Sequence, residues 1–134
     1  MARLTSQGCL ADVEYYGAPS ATSGSFLIHV SDVVNQQPGL LVHSHARNQF
    51  PFMGGTWCLA PAFVRTSIGF SGGSPGTPLD CTGHFNFDMN GWIQTGVDPS
   101  LVPGTRVTLQ YWFRDPVGTF GVGLSNALDL VIQP

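Results

Sequence analysis

The stretch from Thr105 to Asn126, TRVTLQYWFRDPVGTFGVGLSN, constrains the fold more than any other part of the chain. Its first half alternates, placing Val107, Leu109, Tyr111 and Phe113 on one side of an extended segment and Thr108, Gln110, Trp112 and Arg114 on the other. A period of two predicts a half-buried β-strand with a core face and a polar face. Asp115-Pro116 closes it, because proline supplies no ladder donor and restricts the residue before it.

No heptad or sustained helical period competes with this reading elsewhere. Further strands are predicted over Ala11–Tyr16, Gly24–Val30, Gly39–His43, Thr56–Leu59, Phe63–Phe70, Gly83–Met89, Arg106–Phe113 and Ala127–Ile132, separated by Gly, Pro, Ser or Asn clusters. Ser71–Pro78 is too rich in glycine and proline to hold a strand, and Asn90–Thr95 suits one helical turn ahead of Asp98-Pro99. Near-regular turns between short strands predict an all-β fold, a single antiparallel β-sandwich of immunoglobulin-like or jelly-roll-like type with about eight strands. At 134 residues one core is expected, so residues 1–134 read as a single module, with a longer secreted parent open as its source.

Charged residues make up only 10% of the chain, against roughly a quarter in typical soluble domains. The basic residues are five arginines and no lysine, placed singly at 3, 47, 65, 106 and 114, and the net charge is −3. No basic stripe exists to displace phosphate counterions, so nucleic acid is not an expected partner. No apolar run approaches the ~18 residues of a membrane span, and MARLTSQG lacks the apolar core of a signal peptide. An exported version therefore needs a leader upstream in a longer gene.

Cys58 follows Gly-Gly-Thr-Trp and Cys81 follows the Gly/Pro/Ser loop, positions that suit two strands facing each other across a sandwich. A Cys58–Cys81 disulfide is expected, implying an oxidising compartment; two buried thiols are the alternative. Cys9 is then left over, either through loss of its partner by truncation or as a thiol for pairing between chains.

Several motifs follow one another along the chain: Thr5-Ser6-Gln7-Gly8-Cys9, Pro51-Phe52-Met53-Gly54-Gly55-Thr56-Trp57-Cys58, Asp80-Cys81-Thr82-Gly83-His84-Phe85-Asn86-Phe87-Asp88, Asp98-Pro99-Ser100-Leu101-Val102-Pro103-Gly104, Gln110 to Pro116, and Leu124-Ser125-Asn126-Ala127-Leu128. In these the chain resembles an uncharacterised domain at the carboxyl ends of large secreted proteins of planctomycete-like and myxobacteria-like bacteria. The resemblance implies an exported, disulfide-containing, non-catalytic β module, and brings no catalytic residues with it. The chain departs from that pattern by lacking a cysteine upstream of Cys9 and by ending in Gln133-Pro134 where Cys-Pro is common.

Three chemistries can be weighed on the residues. His43-Ser44-His45 has the spacing that puts two imidazoles on one strand face, and with His29 or His84 would resemble a copper or zinc centre. The plainer reading is a polar loop, since Arg47-Asn48-Gln49 follow. Hydrolysis has little support: no Gly-x-Ser-x-Gly elbow is present, and Asp80 and Asp88 read as sheet-surface or turn residues before they read as a catalytic pair. Trp112, between Gln110 and Arg114 on the polar face, fits an aromatic platform flanked by hydrogen-bonding groups; packing beneath a loop or a cation–π contact is the plainer account.

The expected function is thus a non-catalytic extracellular accessory module, secreted or held at the cell surface, that binds a polysaccharide or surface polymer through Trp112, Gln110 and Arg114. The alternatives are a sorting, structural or self-assembly domain associating through Cys9 or its edge strands, and a small copper or zinc protein using His43 and His45.

Overall fold

The computed structural model of the chain describes residues 4–134; Arg3 lies outside them. Ten strands and one helix follow in order: β1 (Asp12–Gly17), β2 (Phe26–Val33), β3 (Pro38–Ser44), β4 (Arg47–Phe52), β5 (Gly55–Leu59), β6 (Val64–Arg65), β7 (Gly69–Phe70), β8 (Gly83–Asp88), α1 (Met89–Gln94), β9 (Arg106–Arg114) and β10 (Val122–Val131). All pairings between strands are antiparallel. One sheet has the order β1-β2-β8, a second runs β10-β9-β3-β6 with β7 also on β3, and β4-β5 forms a separate hairpin. The fold is an all-β sandwich, as the turn spacing predicts.

Alternation along β9 does set the main core. Val107, Leu109, Tyr111 and Phe113 join Leu41 of β3 and meet Phe26, Ile28 and Val30 of β2 and Phe85 of β8, all buried. Full burial of each such side chain contributes about 1.5–3 kcal/mol, which makes this interface the principal source of stability. Phe85 stacks on Tyr111 across the two sheets with ring centroids 5.0 Å apart. Gly39 makes room for that ring, since a Cβ there would lie 2.6 Å from Phe85 Cζ and 2.8 Å from Phe113 Cβ. Helix α1 plugs one end with Met89 and Ile93, capped by the Asp88 carboxylate, which accepts from Gly91 N at 2.9 Å.

The opposite face of β9 is not a solvent face. The β4-β5 hairpin lies over it and buries a second cluster of Leu40, Val42, Trp57, Leu59 and Leu124, with Phe50, Phe52 and Trp112 packed at its side. Thr108 and Gln110 are accordingly fully buried. The central sheet therefore has cover on both sides, the β1-β2-β8 sheet on one and the hairpin on the other.

Most of the expected strands are present within a residue or two, and Asn90–Thr95 overlaps the observed helix. Two regions differ. Phe63–Phe70 is an interrupted edge that follows β3 in pieces: Arg65 pairs with Val42, the Thr66 N–H and hydroxyl both donate to Leu41 O at 2.9 Å, and Gly69 pairs with Gly39. Arg47–Phe52, expected as loop, is strand β4. Its turn, Met53-Gly54, has φ of 50° and 79°, the two left-handed central residues of a type I′ hairpin.

The disulfide joins Cys9 to Cys81, with Cα atoms 5.5 Å apart, and not Cys58 to Cys81. The reason is topological: Cys58 is on β5 in the outer hairpin, whereas Cys81 sits just ahead of β8 in the first sheet, on the far side of the central layer. Cys58 is a buried thiol whose Sγ faces Thr56 O at 3.6 Å. Cys9, bonded to Cys81, is likewise not the intermolecular thiol expected for self-association. Next to it, the buried Asp115 carboxylate accepts from Ser6 N at 2.7 Å and from the Ser6 hydroxyl, so the residue that ends β9 also fastens the amino-terminal segment.

Candidate functional site

The hairpin covers the central sheet incompletely. Beyond Leu59 and Leu124 the outer face opens into a cleft of about 330 Å³, floored by Leu40, Val42 and Trp112. One wall comes from the hairpin, where Phe50 and Phe52 alternate along β4 beside Trp57 of β5. The other comes from Phe63 and Arg65 at the edge of the sheet. The aromatic rings are mutually braced: Trp57 lies 5.6 Å from Phe52 and 5.4 Å from Phe63 between centroids, the latter edge to face. Past Trp112 the floor continues into a second depression of about 180 Å³ between Ile68 and Arg114.

Trp112, expected to be a platform, is thus the shared floor of both lobes. It is half-buried, and its indole N–H is enclosed without a hydrogen-bond partner. Arg114 lies over the ring at 4.8 Å from the centroid, a cation–π contact that occupies one indole face. Among the described residues the only charged side chains lining either lobe are Arg65 and Arg114, both exposed. Among the described residues the one ion pair is Arg47 with Asp129 at 3.1 Å, so neither cleft arginine is neutralised by a carboxylate.

Gln110 has no surface role. Its Nε2 donates to Thr56 O at 3.0 Å and Ser125 O at 2.8 Å, while Oε1 accepts from Cys58 N at 3.0 Å. The bonds to Thr56 and Cys58 pin the hairpin to β9, the bond to Ser125 ties β9 to β10, and both ends of the amide are engaged. The Leu124-Ser125-Asn126 segment is the matching irregularity on β10. Ser125 Oγ accepts from Tyr111 N at 3.0 Å within the bulge, and Asn126 Oδ1 accepts from Val13 N at 2.9 Å, tying β10 to β1.

His43 and His45 are held by different partners. His43 is fully buried on the core side of β3, where its Nε2 accepts from Trp92 Nε1 at 3.1 Å and its Nδ1 has no partner. Burial pushes its pKa down, with Asp98 pulling back less strongly. His45 lies just past the end of β3 on the surface, with Nε2 2.7 Å from Ser100 Oγ and Nδ1 3.2 Å from Arg106 O. Among the described residues no group of three His, Cys, Asp or Glu side chains gathers around a common point. Asp80 and Asp88 are also locally committed. Thr82 hydrogen bonds lower the Asp80 pKa, and Asp88 caps α1.

Sequence reasoning found Trp112 and Arg114 but missed Phe50, Phe52, Phe63 and Arg65. The available signal was Phe50-Pro51-Phe52 running into Met53-Gly54-Gly55, an alternating aromatic pair ahead of a hairpin turn. No family model, curated protein or solved structure matches the chain.

Proposed function

We propose that the chain is a non-catalytic binding module, acting outside the cell, whose cleft takes the flat or aliphatic part of a ligand bearing an anionic group. The observation that carries this reading is the composition of the cleft: five aromatic rings and two aliphatic side chains enclose its main lobe, and among the described residues the only charged side chains on either lobe are Arg65 and Arg114, neither paired with a carboxylate. Preformed apolar walls with a few convergent polar groups are the usual make-up of a small-ligand site. The disulfide is compatible with export, and among the described residues no helix is long and apolar enough to cross a membrane. An acidic polysaccharide is the second reading, favoured by Trp57 and Trp112 with two arginines beside them. It is weaker, because the amide expected beside the platform, Gln110, is consumed inside the fold and no other amide or hydroxyl side chain lines either lobe.

Tryptophan fluorescence during titration with laurate, dodecanol and a sulfated oligosaccharide separates these readings. Saturable laurate binding is expected, weaker for the uncharged alcohol, and reduced about tenfold or more by Trp112→Ala, a loss of ~1.4 kcal/mol. Phe63→Ser, at an exposed rim position, should weaken it while leaving the main core between the two sheets intact. Binding of the oligosaccharide alone supports the second reading, and binding of none of the three overturns both.

A further inference from the structure

The fold brings together a different pair of histidines from the one that sequence spacing suggests. His29 on β2 is opposite Asn86 on β8, and His84 is the next residue along the same outward face of β8. They are diagonal cross-strand neighbours, with imidazole centroids 5.9 Å apart and planes inclined by 33°. With metal–nitrogen bonds of about 2.0–2.1 Å, two imidazoles sharing one ion have centroids roughly 5–6 Å apart. His29 is half-buried and His84 exposed, so the gap between them opens to solvent.

We infer that His29 and His84 form a two-imidazole site on the outer face of the three-stranded sheet for a borderline divalent transition metal such as Zn²⁺ or Ni²⁺. Asn86 is the positioning residue. Its Oδ1 is 2.7 Å from His29 Nδ1, and since a carbonyl oxygen can only accept, the proton sits on Nδ1 and the Nε2 lone pair is left for the ion. The surrounding face suits a cation: Asp12 and Glu14 on β1 and Asp88 on β8 point to the same side, and no lysine or arginine lies on these strands. Glu14, opposite His29 in register, accepts from the Tyr16 hydroxyl at 2.9 Å and acts through its charge. Two protein ligands leave coordination positions open, so the bound ion keeps water or takes a donor from outside the chain.

Calorimetric titration of the whole chain with Zn²⁺ and, separately, Ni²⁺ tests the site. One ion per chain is expected, with binding lost in His29→Ala and in His84→Ala, and weakened about tenfold in Asn86→Leu, the usual cost of removing an orienting partner. His45→Ala should bind as the parent does. All four positions are surface-accessible, and thermal unfolding without metal confirms that each variant folds. Failure to bind either ion at millimolar concentration, or binding that survives both histidine changes, overturns the assignment.

Discussion

Gln110 makes three side-chain hydrogen bonds, two to the hairpin at Thr56 and Cys58 and one to Ser125 of β10, and leucine of similar size would remove them together. The Cys58 N–H and the Ser125 carbonyl would then be buried without that partner, at about 1–3 kcal/mol each. Gln110→Leu is therefore expected to lower stability by roughly 3 kcal/mol in urea unfolding, despite its greater apolarity. His43 gives the chain a pH dependence. Its folded pKa lies below the unfolded value of about 6.5, so the folded state binds fewer protons in mildly acid solution. Its contribution is present above the unfolded pKa and is lost as pH falls through the folded one. Protonation would also put a hydrogen on Nε2, where the Trp92 N–H already points. The urea midpoint should fall from pH 7 to pH 5, and His43→Gln, which can still accept from Trp92, should flatten that slope.

At the scale of elements, β9 is legible because its apolar residues occupy every second position and face one core. Its other face is misread for a physical reason: Thr108 and Gln110 are polar side chains whose hydrogen bonds are satisfied by Asp129, Thr56, Ser125 and Cys58, so they tolerate burial that their chemistry does not advertise. Strand β4 escapes notice because Arg47, Asn48, Gln49 and Pro51 are exposed and only Phe50 and Phe52 turn inward. Strand β4 supplies only those two inward side chains, too few for periodicity to register, while Trp57 and Leu59 of β5 carry the rest of the hairpin's packing. The cleft inherits this blindness, since a wall of it is β4 and another part belongs to the broken edge around Phe63 and Arg65. The His29–His84 pair is invisible for a simpler reason. It depends on the register between β2 and β8, strands far apart in the chain.

For the whole molecule, three cysteines permit three single pairings, and only the layer order selects Cys9–Cys81. Non-reducing peptide mapping should recover that pair, with Cys58 protected from alkylation until the chain unfolds. The bond closes a span of 72 residues, for which chain entropy predicts about 4 kcal/mol of stabilisation. A Cys9→Ser, Cys81→Ser double variant should lose a comparable amount in denaturant unfolding, whereas a Cys58–Cys81 pairing would leave Cys9→Ser without effect.

The same bond decides how the chain withstands being cut. The long Gly/Pro loop before Cys81 is exposed at Gly73, Pro75, Gly76 and Thr77, yet Asn35 grips it through Ser74 O at 2.6 Å and Asp80 N at 2.8 Å. A protease nick there falls between Cys9 and Cys81. The two fragments would remain one covalent particle, held across both layers of the main core, and would part on a denaturing gel only after a reductant is added.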